Sequence, residues 1–158
     1  MLDSVTTTQS LQDFLLEQAR LSNLGEPQFK IAELIIGNID DAGFLQSSVD
    51  ELVFSSGCPG DDIQAVLDVV LAFHPPGVGA RDLRECLMLQ LERAERSDSL
   101  EYRIVRDCMN ELGRRRIREI AKKTGETVDA VQDALEHIGH LEPKPGREYM
   151  PETNQFVV

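Results

Sequence analysis

The stretch His74-Pro75-Pro76-Gly77-Val78-Gly79-Ala80-Arg81-Asp82-Leu83-Arg84-Glu85-Cys86 decides the fold of this chain. Its two adjacent prolines cannot lie inside a helix, because each lacks an N–H donor and fixes its φ angle. The glycines at 77 and 79 permit backbone angles that a side chain would forbid. Apolar residues then recur at steps of three and four, which is the period of a half-buried helix: Leu83, Cys86, Leu87, Leu91 and Ala94. The stretch therefore predicts a rigid elbow between two helical segments.

Helix signals dominate the rest of the chain, and they predict an all-α fold. Ser10 and Asp13 have the spacing of a capping box before a first helix, and Ser48 with Glu51 caps a short helix that Gly57 can end. Apolar residues at helical spacing predict further helices near residues 29–39, 63–70, 81–96 and 102–112. The tail, residues 149–158, is the only segment with a strand pattern, and it is short.

The chain also resembles itself at an offset of 68 residues. Glutamate, glycine, aspartate, glutamine and proline recur in register at this offset. The matching pairs are Glu51 with Glu119, Gly57 with Gly125, Asp61 with Asp129, Gln64 with Gln132, and Pro75 with Pro143. Each copy has a short helix, a glycine turn, a longer helix and a proline stop, which is the arrangement of a helix-turn-helix. The sequence therefore predicts a duplicated helix-turn-helix-like unit.

The second copy carries few of the residues that a DNA-reading helix needs. Its longer helix exposes acidic and amide side chains, and carboxylates repel phosphates: Asp129, Gln132, Asp133 and Glu136. Basic residues lie on the first helix of the copy and just before it: Arg114, Arg115, Arg116, Arg118 and Lys122. This group could contact nucleic acid or an acidic protein surface, and the alternative is an ordinary solvated helix face.

The charge of the chain favours a protein partner. The net charge is −12, and residues 1–80 hold two basic side chains against twelve acidic ones. Such a surface is steered toward basic protein and away from phosphate backbones, although acidity can also serve solubility alone. No apolar run is long enough to span a bilayer, and no secretory signal is evident. The three cysteines lack C-x-x-C spacing. Cys86 and Cys108 fall at apolar helical positions, where we expect buried thiols. This use of cysteine is consistent with a reducing cytoplasm.

We find no catalytic constellation, no cofactor motif and no metal site in the sequence. His137 and His140 have a helical spacing that can bind metal, but a third ligand is not evident, so we interpret them as surface histidines. Asp40, Asp41 and Gly43 lack the alternating oxygen ligands of a calcium loop, and a helix-ending turn explains them.

The stretch from Pro75 to Cys86 closely resembles the signature of the core-binding domain of bacterial sigma-54 class (RpoN-type) transcription initiation factors. Four further segments match that family in order and spacing: Ile39–Leu45, Leu87–Leu91, Arg114–Arg116 and Leu141–Arg147. The resemblance runs from Ser10 to about Pro151, with His74 where the family usually has Asp. It implies an all-helical, non-enzymatic, cytoplasmic module that docks as a monomer onto core RNA polymerase, in part onto the flap of the β subunit.

The resemblance also implies a domain organisation and a contact surface. We expect two small helical bundles, residues 10–96 and 97–150, each with a helix-turn-helix-like unit and joined at the Pro-Pro-Gly elbow. Residues 151–158 would begin a linker to DNA-binding regions that the chain lacks, so that it is an excised fragment contacting promoter DNA only through those regions. The expected polymerase contacts are Pro75, Pro76, Gly77, Val78, Gly79, Ala80, Arg81, Asp82, Leu83, Arg84 and Glu85, with acidic or turn contacts at Asp40, Asp41 and Gly43.

Two other classes of function compete with this interpretation. A self-sufficient DNA-binding regulator would use residues 115–141 and would give a salt-sensitive complex with duplex DNA. A helical adaptor for some other protein would bind neither DNA nor polymerase.

Overall fold

A computed structural model describes residues 9–150, and this part of the chain is all-α, as expected. Nine α-helices follow one another: α1 (Leu11–Arg20), α2 (Glu26–Gly37), α3 (Val49–Ser56), α4 (Gly60–Leu71), α5 (Leu83–Arg93), α6 (Leu100–Asp107), α7 (Met109–Gly113), α8 (Ile117–Thr124) and α9 (Val128–Gly139). A 3-10 helix, Arg147–Tyr149, ends the described range, so the predicted tail strand does not begin at Tyr149, and residues 151–158 lie outside that range. None of these helices is long and apolar enough to cross a membrane.

The helix ends follow from local chemistry. Of the capping box predicted at Ser10 and Asp13 the structure shows one half, in which the Ser10 side chain accepts a hydrogen bond from the Asp13 N–H, 3.0 Å away. Ser48 and Glu51 form a reciprocal capping box, in which each side chain accepts from the backbone N–H of the other residue. Gly57 ends α3 at φ 76°, in the left-handed region that favours glycine. These caps confirm the helix starts and stops that the sequence predicts.

One predicted helix is divided in two. The segment 102–112 breaks at Cys108, whose φ of −126° and ψ of 31° lie outside the helical region, and α6 and α7 lie on either side of it. The buried side chains Ile104, Val105 and Cys108 span the break. A hydrophobic period that continues across a single non-helical residue cannot reveal that residue, which explains the difference.

The described chain forms two compact units. The first unit contains residues 9–81 and 144–150, and the second contains residues 82–143. The core of the first is aliphatic, with Leu11, Leu15, Ile31, Ile35, Leu52, Ile63 and Val70 among its buried residues. The second core takes Leu87 and Leu91 from α5 and also contains Ile104, Val105, Cys108, Ile120 and Val131. That residues 10–96 and 97–150 are separable domains stays a prediction.

The duplication is visible in the helix bounds. Helices α3 and α8 have eight residues each, α4 and α9 have twelve each, and all four bounds shift by 68 residues from one copy to the other. Gly57 and Gly125 both end the first helix at φ 76°. In each copy the short helix packs on the longer one. Equivalent side chains are buried, namely Leu52 with Ile120 and Ile63 with Val131. The predicted repeat of two helices around a glycine turn is therefore confirmed.

Glu101 is the one buried charged residue in the described part of the chain, with 5% of its surface exposed. Its Oε2 lies 2.5 Å from His137 Nδ1 and 3.3 Å from Arg96 Nη2. Burial acts to raise the pKa of Glu101, but the hydrogen bond to His137 and the nearby Arg96 charge outweigh it, so the pKa lies below its ordinary value. A carboxyl with a lowered pKa stabilises the fold when ionised.

We therefore expect Glu101→Gln to lower the free energy of unfolding by about 1–2 kcal/mol at pH 7. The Glu101 contribution is fully present above its unfolded pKa near 4.5 and is lost as the pH falls through the lower folded value. Urea unfolding at pH 7 and pH 3 checks this, because the wild type should lose more stability on acidification than the variant. Glu119→Gln, at an exposed glutamate paired with Arg116, is the matched control and should behave like the wild type. An equal acid loss in wild type and Glu101→Gln would contradict the prediction.

Candidate functional site

The proline elbow lies in the first unit, where residues 77–80 are buried and His74 and Pro76 are exposed. The His74–Pro75 peptide is cis, and the turns that follow are closed by Val78 N–H to Pro75 C=O at 3.1 Å and by Ala80 N–H to Gly77 C=O at 3.3 Å. Gly77 and Gly79 have φ of 93° and 88°, in the region that favours glycine. A Cβ on Gly79 would also lie 3.1 Å from Leu71 Cδ2. The sequence expectation that glycine is needed at both positions therefore has a structural cause.

Three segments that lie far apart in sequence meet at what we call the glycine junction, formed by residues 40–46, 77–80 and 144–147 of the first unit. Backbone hydrogen bonds join them: Gly79 N–H donates to Gly43 C=O at 2.9 Å, Leu45 N–H to Ala80 C=O at 2.9 Å, and Gly146 N–H to Ala42 C=O at 2.7 Å. A Cβ on Gly43 would lie 2.8 Å from Pro145 Cγ. The segments thus approach more closely than side chains would allow.

Asp40 fixes the turn that enters this junction. Its Oδ1 accepts from the Gly43 and Phe44 N–H groups, each at 2.9 Å, and its Oδ2 accepts from Gln46 Nε2 at 2.8 Å. Asp41 is exposed and Gly43 is buried. Of the three expected turn residues, Asp41 is the one whose side chain faces solvent.

Two glutamines of α1 hold the elbow and the turn in place. Gln18 brackets His74, since its Oε1 accepts from the His74 N–H at 2.9 Å and its Nε2 donates to the His74 C=O at 2.7 Å. Gln12 Nε2 donates to the Ile39 C=O at 2.8 Å. Sequence reasoning missed both roles. The available signal was two amides bordering the apolar stripe of Leu11 and Leu15.

The expected polymerase contacts divide by exposure. Gly77, Val78, Gly79 and Ala80 are buried, and Pro75 and Glu85 are half-buried. The exposed members are Pro76, Arg81, Asp82, Leu83 and Arg84, and Leu83 is an apolar side chain with 40% exposure. Asp82 caps α5 by accepting from the Glu85 N–H at 2.8 Å, and Arg84 Nη1 donates to the Arg106 C=O at 2.9 Å. The buried members, residues 77–80, are not accessible to a partner.

Cys86 is a structural thiol of the second unit. Burial raises its pKa to about 11, so it is a thiol rather than a thiolate at neutral pH. Next to it, Gln90 exchanges two hydrogen bonds with the Glu142 backbone, at 2.7 Å and 2.9 Å. Cys86 and Cys108 are both buried, as the sequence predicts. The arrangement anchors the segment after α9 and offers no nucleophile.

The basic residues near α8 are exposed. Arg115, Arg116 and Arg118 line an open depression of about 370 Å³ together with Ile117 and Glu119. Arg116 Nη1 pairs with Glu119 Oε1 at 3.1 Å. Among the described residues no hydrogen-bond or ion-pair partner engages the side chains of Arg114, Arg115, Arg118 or Lys122.

The imidazoles lie on the surface of the second unit. His137 and His140 are both exposed. The Nδ1 atom of His137 contacts the Glu101 carboxylate. Among residues 9–150, no group of three or more His, Cys, Asp or Glu side chains is placed to hold a metal ion.

Comparisons with known proteins agree with one another. A family model described as "Sigma-54 factor, core binding domain" matches residues 1–158. The "RNA polymerase sigma-54 factor" of Acidithiobacillus ferridurans is 39% identical over 155 residues, which are 96% of this chain and 33% of that protein. The proteins of the same name from Salmonella typhimurium and Escherichia coli are 34% and 30% identical over 158 residues, again 96% of this chain and 33% of theirs. The chain spans about a third of the length of these curated relatives.

Proposed function

The chain belongs to the sigma-54 factor family through its core-binding domain, and from this premise we propose that it docks onto core RNA polymerase with surfaces that are assembled before binding. The family is non-enzymatic, so the proposed action is tethering without chemistry. In the whole sigma factor this tether would serve promoter-specific initiation in the cytoplasm, with promoter DNA contacted by other regions.

The glycine junction is the observation that carries this proposal. Its three segments overlap three of the five that carry the family resemblance, and backbone hydrogen bonds of 2.7–2.9 Å hold them together. A surface fixed in this way loses little conformational entropy on docking, which favours affinity. We propose that Arg81, Asp82, Leu83 and Arg84, the exposed residues that follow the junction, contact the polymerase, in part at the β-subunit flap, and that the domain binds as a monomer.

We further propose that the pairs α3–α4 and α8–α9 are helix-turn-helix-like docking modules rather than DNA readers. The exposed positions of α9 include Asp129, Gln132, Asp133 and Glu136. Three carboxylates on the face that a recognition helix would turn to the major groove oppose phosphate binding. The basic cluster, Arg114, Arg115, Arg116, Arg118 and Lys122, would then face an acidic protein surface of the polymerase.

The test is a titration of the chain with purified core polymerase, set beside a titration with duplex DNA, both at physiological salt. We expect saturable one-to-one binding to polymerase and no saturable binding to DNA. Binding to DNA alone, abolished when Arg115, Arg116 and Arg118 are neutralised, would replace the proposal with the DNA-binding regulator. Binding to neither would leave the adaptor. Polymerase without its β flap tip should bind more weakly, and equal binding would remove the flap from the proposal.

A further inference from the structure

Phe54 is an exposed aromatic side chain in the last turn of a folded helix. It lies on α3 with 93% of its surface exposed, more than any other large apolar residue in the described part of the chain. Asp50 and Glu51, at the positions four and three residues before it on the same helix, are also exposed. Phenylalanine is a poorer helix former than alanine or leucine, and this ring gains nothing from burial. Folding therefore gives no reason for an aromatic residue here.

The second copy of the repeat has different residues at the positions equivalent to Phe54 and Asp50. At the offset of 68 residues, Phe54 corresponds to Lys122 and Asp50 to Arg118, and both helices keep the same length and the same glycine end. Residues 46–57 contain two acidic and no basic side chains, whereas residues 114–125 contain six basic and one acidic. The helix therefore folds with either acidic and aromatic residues or basic residues at these positions. The difference between the copies therefore concerns what each surface meets.

We propose that Phe54 is the anchor of a docking surface on α3, where it enters an apolar pocket on core polymerase that is rimmed by lysine or arginine. This inference rests on the proposed function and names the surface and the partner chemistry. Burying one phenylalanine removes about 150–250 Å² of surface from water, and aromatic anchors surrounded by polar residues dominate many interfaces.

The charge of this surface favours a basic protein partner over nucleic acid or a lipid membrane. Helices α3 and α4 together carry Asp50, Glu51, Asp61, Asp62 and Asp68 and no basic residue. Such a surface repels nucleic acid and anionic lipid and attracts a basic protein surface, so that the association should weaken as salt rises. Asp50 and Glu51 on the rim would steer the approach, and Phe54 would supply the desolvated centre.

The test compares variants in the polymerase titration. Phe54→Ala should weaken binding about tenfold or more, since it removes the anchor. The double variant Asp50→Arg/Phe54→Lys, which places on α3 the residues that α8 already carries, should weaken binding further, because it also reverses the rim charge. Leu21→Ala is the matched control, at another large apolar side chain with 78% exposure, and should bind like the wild type.

The outcomes separate the two proposals. If the wild type binds polymerase and both α3 variants bind with unchanged affinity, the docking surface is wrong and the proposed function stands. If the wild type does not bind polymerase, both fail together. Light scattering tests whether the surface instead binds a second copy of the chain. A concentration-dependent dimer that Phe54→Ala abolishes would show this and would overturn the inference. Circular dichroism should show the same helix content in all four proteins.

Discussion

Gly146→Ala is expected to lower the free energy of unfolding of this domain by about 3 kcal/mol. A Cβ at residue 146 would lie 2.2 Å from the carbonyl oxygen of Asp41 and 2.9 Å from Leu11 Cδ2. The backbone oxygen cannot rotate away as a side chain could, and the Gly146 N–H is bound to the Ala42 C=O at 2.7 Å. The φ of Gly146 is −87°, which every residue tolerates, so the expected loss is steric and comes from forcing the glycine junction apart.

Two other glycines are matched controls for this variant. Gly57 has φ 76° and no atom within 4 Å of its would-be Cβ, so Gly57→Ala should cost about 1–2 kcal/mol of backbone strain alone. Gly139 ends α9 with neither a positive φ nor a close neighbour, and Gly139→Ala should change stability by less than about 1 kcal/mol. Equilibrium unfolding in urea measures all three. A Gly146→Ala protein as stable as Gly139→Ala would mean that residues 144–147 do not pack under the turn at Asp41.

The sequence predicted the features that depend on neighbouring residues. The capping box at Ser48 and Glu51, the left-handed glycine at 57 and the elbow glycines follow from local backbone chemistry, which a sequence displays directly. The repeat was also accessible, because equal spacing of Gly57 and Gly125 needs no knowledge of tertiary structure. Each of these expectations concerns interactions within a few residues.

Long-range contacts were not predictable in the same way. Gln18 and His74 are 56 residues apart, and Gln90 and Glu142 are 52 apart, so no local pattern links their hydrogen bonds. An apolar period likewise shows that α5 has a buried face but not which core that face joins. The exposure of Phe54 was hidden for a related reason, since Leu52, Val53 and Phe54 are three consecutive apolar residues on a short helix, and the pattern does not show which of them faces the core.

Leu52→Ala and Phe54→Ala are expected to have very different effects on stability, although the two residues are two positions apart on one short helix. Leu52 is 1% exposed, so its truncation should lower the free energy of unfolding by about 2–5 kcal/mol through lost burial and the cavity left behind. Phe54→Ala should leave stability within about 0.5 kcal/mol of the wild type, because the ring buries nothing and alanine favours the helix. Urea unfolding of both variants, beside Ile120→Ala at the position equivalent to Leu52, checks the pair.

Comparing Leu52→Ala with Phe54→Ala distinguishes a role in stability from a role in binding for the side chains of α3. Ile120 is fully buried in the other copy, so Ile120→Ala should reproduce the large loss of Leu52→Ala, while Lys122→Ala should reproduce the small effect of Phe54→Ala. With stability unchanged, a loss of polymerase binding by Phe54→Ala is a property of the surface and not of the fold. If Phe54→Ala instead unfolds as readily as Leu52→Ala, the ring is a core residue in solution, and the docking surface on α3 loses its premise.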